Sequence, residues 1–224
     1  MEIDDKIKYA LEHTELIRAP QQELATFGSS VIDYYVVTEL VGSVSVIRDG
    51  KVTAERPQIV TPSYLINVEG FSDQAKKYIM MMSREHPQEA GVFYRYKNEP
   101  RGMDVVSEPI EQVIDKLKSQ IEKQHASLST IIKGVEELWD LSLLMFIYEI
   151  TRRSVRNNMA EFQSRGFFDI DGYGVPHGAR DNIEELFKHV ERDLLLAPEL
   201  VLELNRWGLF AEYQDRFFAL FKKE

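Results

Sequence analysis

The spacing of apolar residues changes along this chain, and each change predicts a different element. Over residues 3–17 (IDDKIKYALEHTELI), Ile3, Ile7, Leu11 and Ile17 recur at helical intervals, which predicts one helix ended ahead of Pro20. From Val31 the interval falls to two. Residues 31–40 (VIDYYVVTEL) are rich in β-branched and aromatic side chains, which suit a pleated strand. Val44, Val46, Val52 and Ala54 alternate on either side of Asp49-Gly50. That dipeptide readily supplies positive φ, so the pattern predicts a hairpin turning there. Residues 72–85 (SDQAKKYIMMMSRE) predict a helix stopped near Pro87. Strands follow at 92–97 and 103–106, joined by a turn over 98–102.

From Ser107 the helical interval returns. Ile110, Val113, Leu117 and Ile121 share one face, with Ser107 as cap and Pro109 in the first turn. Residues 134–154 are apolar on nearly all sides, the pattern of a helix buried in a bundle or packed on a sheet. A polar helix over 155–165 ends at Gly166, and Asp181 with Glu184 predicts a capping box for a helix over 182–195. Pro198 opens another helix, with Gly208 after it. Phe210, Tyr213, Phe217 and Phe221 recur at helical spacing in the last.

A β-rich half followed by a helical half predicts an α+β fold with one twisted, mostly antiparallel sheet. The boundary falls near Ser107, dividing residues 1–106 from 107–224, within one continuous domain or between two. The chain's 224 residues suffice for a real core.

Charge narrows the partners. The net charge is −10, and both halves are acidic, which disfavours nucleic acid and anionic membranes except at a local patch. There is no cysteine, so disulfides, thiolate metal sites and Cys nucleophiles are excluded. The first ten residues, MEIDDKIKYA, lack the apolar core of a signal peptide, and the longest apolar run, 143–148, is too short to span a bilayer. The expectation is a soluble cytoplasmic protein without membrane contact.

Residues 167–187 (FFDIDGYGVPHGARDNIEELF) concentrate the candidate chemistry. Asp169 and Asp171 fit the first and third positions of a calcium loop, and Gly174 falls where its turn glycine belongs. The fifth position is Tyr173 and the twelfth is Arg180, so the closing ligands are missing. Asp169, Asp171 and His177 remain the candidate metal or general-base cluster. Gly172, Gly174 and Gly178 also space like a dinucleotide loop, but no strand pattern follows residue 187, and Pro176 removes an N–H donor. The plain alternative is a connection whose Phe167, Phe168 and Ile170 pack on the core.

Just before it, residues 151–165 (TRRSVRNNMAEFQSR) carry Arg152, Arg153, Arg156 and Arg165 against one acid, Glu161. These are the candidate phosphate contacts of a recognition helix, with Asn157 or Asn158 to read bases. The order helix, Gly166, two apolar residues, acidic-Gly turn resembles winged-helix regulators over about a tenth of the chain. That resemblance implies a DNA-binding role.

Two Glu–His pairs complete the candidates. Glu122 and His125 form an E-x-x-H step, which a helix places on one face, and Glu185 and His189 stand four apart. Asp140 and Glu149 interrupt the apolar 134–154 stretch and need partners or an exposed edge. No Walker loop, HExxH zinc motif or GxSxG elbow is present. The leading expectation is a non-catalytic binding or regulatory protein with a protein or small-ligand partner. Its rivals are a metal-dependent or small-molecule enzyme using the 169–178 loop, and a winged-helix-like DNA-binding regulator. The aromatic last helix leaves homodimerisation open, and no cofactor is identified.

Overall fold

The computed structural model describes residues 3–41, 43–61, 64 and 91–222. The chain is α+β and forms two compact units. One holds Met1–Pro57 and Tyr94–Asn158, the other Gln58–Phe93 and Met159–Glu224. The helix read over 72–85 lies outside the described residues.

In the first unit, β-branched alternation produces the expected strand. β2 (Ser30–Leu40) turns Ile32, Tyr34 and Val36 to one face and Val37 to the other. It pairs antiparallel with β3 (Val44–Ala54) along its whole length, from Ser30↔Ala54 to Leu40↔Val44. The hairpin therefore turns between Leu40 and Val44, and Asp49-Gly50 lies in mid-strand. Gly50 answers a close approach instead. A Cβ on it would stand 2.5 Å from the Tyr34 hydroxyl and 2.7 Å from the Glu99 carbonyl.

The expected turn over 98–102 is likewise strand. β6 (Tyr96–Val106) runs straight through as the partner of β3, with one extra residue between the pairs Asp49↔Gly102 and Gly50↔Pro100. Pro100 is tolerated because β6 is an edge strand and the bulge spares a ladder bond.

Two strands of this five-stranded sheet have no counterpart in the sequence reading. Residues 3–17 split into α1 (Ile3–Glu12) and β1 (Glu15–Arg18), so Ile17 belongs to the sheet and not to the helix. β7 (Ser129–Lys133) inserts between β1 and β2, parallel to β2. The sheet order is β1-β7-β2-β3-β6, mixed but mostly antiparallel.

A helix covers each face. α2 (Ile110–Lys123) buries Ile110, Val113, Ile114, Leu117 and Ile121 against Val37 and Ile131. Its cap is Pro109, and no side chain caps it, so Ser107 does not play that part. α3 (Trp139–Ser164) lays Leu143, Phe146 and Ile150 on Ile32, Tyr34, Val36, Val52 and Ile132. It is one helix of 26 residues where two were expected. It is not buried all round, since Leu144 and Tyr148 are exposed. Asp140 is exposed too, and Glu149 pairs with Arg152 at 2.8 Å.

The second unit begins with the short pair β4 (Gln58–Val60) and β5 (Gly91–Phe93). Its core joins α4 (His177–Arg192), α5 (Ala197–Arg206) and α6 (Phe210–Ala219) through Ile183, Phe187, Val190, Leu200, Leu204 and Phe217. α4 starts five residues before the helix predicted over 182–195, with Pro176 and not Asp181 at its cap. Pro198 sits in the first turn of α5, and Gly208, at φ +69°, lets the chain turn toward α6. Among the described residues no helix is long and apolar enough to cross a membrane.

Candidate functional site

The 166–180 loop is closed by its own backbone. Gly166, at φ +69°, ends α3, and the Phe167 N–H returns to the Phe162 carbonyl at 2.9 Å. Ile170 and Pro176 form an isolated β-bridge, and Gly174 turns the tip at φ +79°. The His177 N–H donates to the Asp169 carbonyl at 2.8 Å, and the Gly178 N–H to the Phe167 carbonyl at 2.9 Å. The first donors of α4, which could otherwise hold an anion, are thus already engaged. Gly178 is a packing glycine: a Cβ there would lie 2.4 Å from Ile59 Cδ1 and 3.0 Å from a Phe167 ring carbon.

Asp171 organises the inside of the loop. Its Oδ1 accepts the Tyr173 N–H at 2.8 Å and the Val175 N–H at 2.9 Å, and its Oδ2 accepts from Arg180 Nε at 2.8 Å. Arg180 also donates to Glu212 at 2.5 Å and to the Tyr213 hydroxyl at 3.2 Å, both on α6. Its guanidinium lies 5.7 Å from the Tyr173 ring centroid and 5.8 Å from that of Tyr213. Burial pushes the Asp171 carboxyl up, but the Val175 N–H, Arg180 and the Tyr173 N–H outweigh it and hold the group below its ordinary value. Burial opposes the charge on Arg180, yet Glu212, Tyr213 and Asp171 raise its affinity for the proton overall.

The calcium-loop spacing therefore places a cation in the structure, and the cation is a side chain. Arg180, at the position where a closing Glu would stand, returns to the carboxylate at the third position. Asp169 and His177 are exposed, and their contact is through backbone. Among the described residues no group of three or more His, Asp or Glu side chains is placed to hold a metal ion.

The arginine candidates divide. Arg152 is paired with Glu149, while Arg153 and Arg156 are exposed on α3. Arg165 lies just past the end of α3. Asn158 is buried, accepting from Thr26 and donating to the Tyr94 hydroxyl at 3.0 Å each, so it cannot reach a base. Asn157 donates to Glu23 at 2.5 Å. The Glu122–His125 pair does not share a helix face, because α2 stops at Lys123 and His125 takes φ +51°. Glu185 pairs with Lys188 at 2.6 Å and His189 is exposed.

One buried acid went unread in the sequence. Glu203 on α5 is 5% exposed. Its Oε1 accepts the Trp207 indole N–H at 3.0 Å and its Oε2 accepts the Tyr64 hydroxyl at 3.1 Å. Arg206 donates to the same hydroxyl at 3.1 Å and stands 3.6 Å from the carboxylate. Burial, and then the Glu203 charge, push the Tyr64 hydroxyl pKa up. Both carboxylate oxygens are satisfied, so the network reads as an anchor for Tyr64. The only sequence signal was the Glu203–Trp207 spacing of four, which many surface pairs share.

No protein-family model matches this chain, no curated protein matches its sequence, and no solved structure matches its fold.

Proposed function

We propose that this protein is a non-catalytic binding protein whose contact surface includes exposed apolar side chains of its second unit. The observation that supports this reading is the set of large apolar side chains left in solvent there. Leu194 and Leu195 stand on a 3-10 turn, Leu202 on α5, Phe218 on α6 and Phe221 in the turn after it, Leu195 being 87% exposed. Exposed apolar side chains that lie together mark contact surfaces. The residue types that suggested chemistry, in contrast, spend their polar atoms on one another: Asp171 on Arg180, and Glu203 on Tyr64 and Trp207.

The test is a photoreactive phenylalanine analogue at position 218 of the full chain, activated in the cells that produce it. The expected result is a discrete macromolecular adduct, lost when Phe221 is replaced by Glu. No adduct from position 218 overturns the reading. A native mass above the denatured mass by a metal or small ligand, lost in Asp171→Ala, would move the assignment to the 169–178 loop.

A further inference from the structure

We propose that the outer edge of β6 pairs antiparallel with the same edge of a second copy of this chain, about a two-fold axis passing between Pro100 and Arg101. This edge belongs to the first unit and is separate from the apolar side chains of the second.

β6 closes one end of the five-stranded sheet, and among the described residues no strand pairs with its outer side. Residues 97–105 are exposed one after another, Met103 at 60% and Val105 at 57%. A long open edge presents a row of backbone N–H and C=O groups that a further strand can use.

The register with β3 fixes where the side chains of β6 point. Lys97, Glu99, Gly102 and Asp104 stand opposite Thr53, Lys51, Asp49 and Ile47, every second residue of a β3 that pairs with β2 without a break. They therefore share one face. Arg101, the extra residue of the bulge, turns to that face too, since it bonds to Asp33, whose partner in β3 is Lys51. Tyr96, Asn98, Met103 and Val105 stand opposite Ala54, Val52, Arg48 and Val46 and share the other face.

Along the first face the charges run Lys97, Glu99, Arg101, Asp104, an order complementary to its own reverse. That self-complementarity names the occupant. The two-fold axis sets Lys97 of each copy against Asp104 of the other, and Glu99 against Gly102, beside Arg101. Among the described residues Asp104 has no ion-pair partner within its own chain, whereas Lys97 pairs with Glu99 and Arg101 with Asp33. On the other face the same register lays Tyr96 against Val105 and Asn98 against Met103, covering the two exposed apolar side chains.

Other registers are disfavoured. A slip of one residue turns opposed side chains to different faces, and a slip of two sets Glu99 against Asp104, two like charges. Pro100 offers no N–H, but it falls at the axis, where the two bulges meet. The ladder therefore runs as two equal halves, residues 96–99 of each copy against 102–105 of the other. Lys97, Pro100 and the bulge discourage a strand of unrelated sequence. The net charge of −10 opposes self-contact in general, yet the four charges of β6 sum to zero. One strand on each side is a small interface, so the dimer belongs to the weak class.

Sedimentation velocity of the full chain from about 1 to about 500 µM, with disulfide trapping, tests it. Monomer should convert to dimer as concentration rises. Asp104→Lys and Lys97→Asp should each raise the dissociation constant by about tenfold with an unchanged circular dichroism spectrum, since each sets like charges together at two symmetry-related places, and the chain carrying both should regain the original value. The chain holds no cysteine, so introduced thiols report this contact alone. A mixture of Lys97→Cys and Asp104→Cys chains should oxidise to a covalent pair of the two. A mixture of Lys97→Cys with Val105→Cys, whose side chain lies on the other face, should not. A chain that stays monomeric throughout overturns the proposal, as does a double swap no tighter than the singles or trapping that ignores the change from 104 to 105.

Discussion

Replacing Arg180 by Met keeps the aliphatic stem and deletes the guanidinium that ties the 169–175 loop to α6. The side chains of Arg180 and Asp171 are 18% and 19% exposed, so their hydrogen bond is largely shielded and contributes about 2 kcal/mol. Glu212 is 44% exposed, and solvent screens that pair to about 0.5 kcal/mol. The Tyr213 hydroxyl adds about 0.5 kcal/mol. The expected loss is about 3 kcal/mol, or roughly 6–12 °C in melting temperature for a chain of this length. Thermal and urea unfolding at pH 7 measure it. A double-mutant cycle with Asp171→Asn should return a coupling of about 1–2 kcal/mol.

Acid gives an independent check on the sign. The Asp171 carboxyl is held below its ordinary value in the folded chain, so its stabilisation is complete above the unfolded value of about 3.9 and is lost as pH falls through the folded value. The gap between wild type and Arg180→Met should therefore narrow below about pH 4. A loss under about 1 kcal/mol, effects that simply add, or a gap unchanged at about pH 3 would refute the lock as described.

Two further substitutions probe the scaffold. Gly50→Ala drives a methyl into the Tyr34 hydroxyl and the Glu99 carbonyl, and Tyr34 is 1% exposed with no room to yield; urea unfolding should show a loss of about 2–3 kcal/mol, and a loss under about 0.5 kcal/mol would mean the strands part freely there. Glu203→Ala removes the acceptor of the Trp207 indole and the Tyr64 hydroxyl; a loss of about 2–4 kcal/mol is expected, with a shift in Trp207 emission measured in a Trp139→Phe background, and unchanged emission would show that the network does not hold.

The α+β composition, the helix over Ile110–Lys123 and the strand β2 were legible because their signal is local. Side-chain period 3.6 or 2 follows from backbone geometry and is written into consecutive residues. The two misplaced turns show where local signal fails. Asp49-Gly50 has turn chemistry, yet eleven paired residues of β2 hold it flat in β3. Pro100 and Gly102 look like a break, yet an edge position and a bulge absorb both.

β7 shows the limit from the other side. Its five residues, STIIK, are too few for a period, and their place between β1 and β2 depends on partners about a hundred residues away. The candidate site divides in the same way. The sequence by itself placed Asp169, Asp171 and Gly174 in a cation-loop spacing, and noted Arg180 only as a missing ligand. Tertiary structure decided what that spacing does. Glu212 and Tyr213 come from α6, more than thirty residues on, and together with Asp171 they hold the guanidinium inside the loop. Pattern fixes which residues share a face, because that is set by neighbours in the chain. Which charge meets which, and which ring stays in water, is set by elements that meet only when the chain has folded.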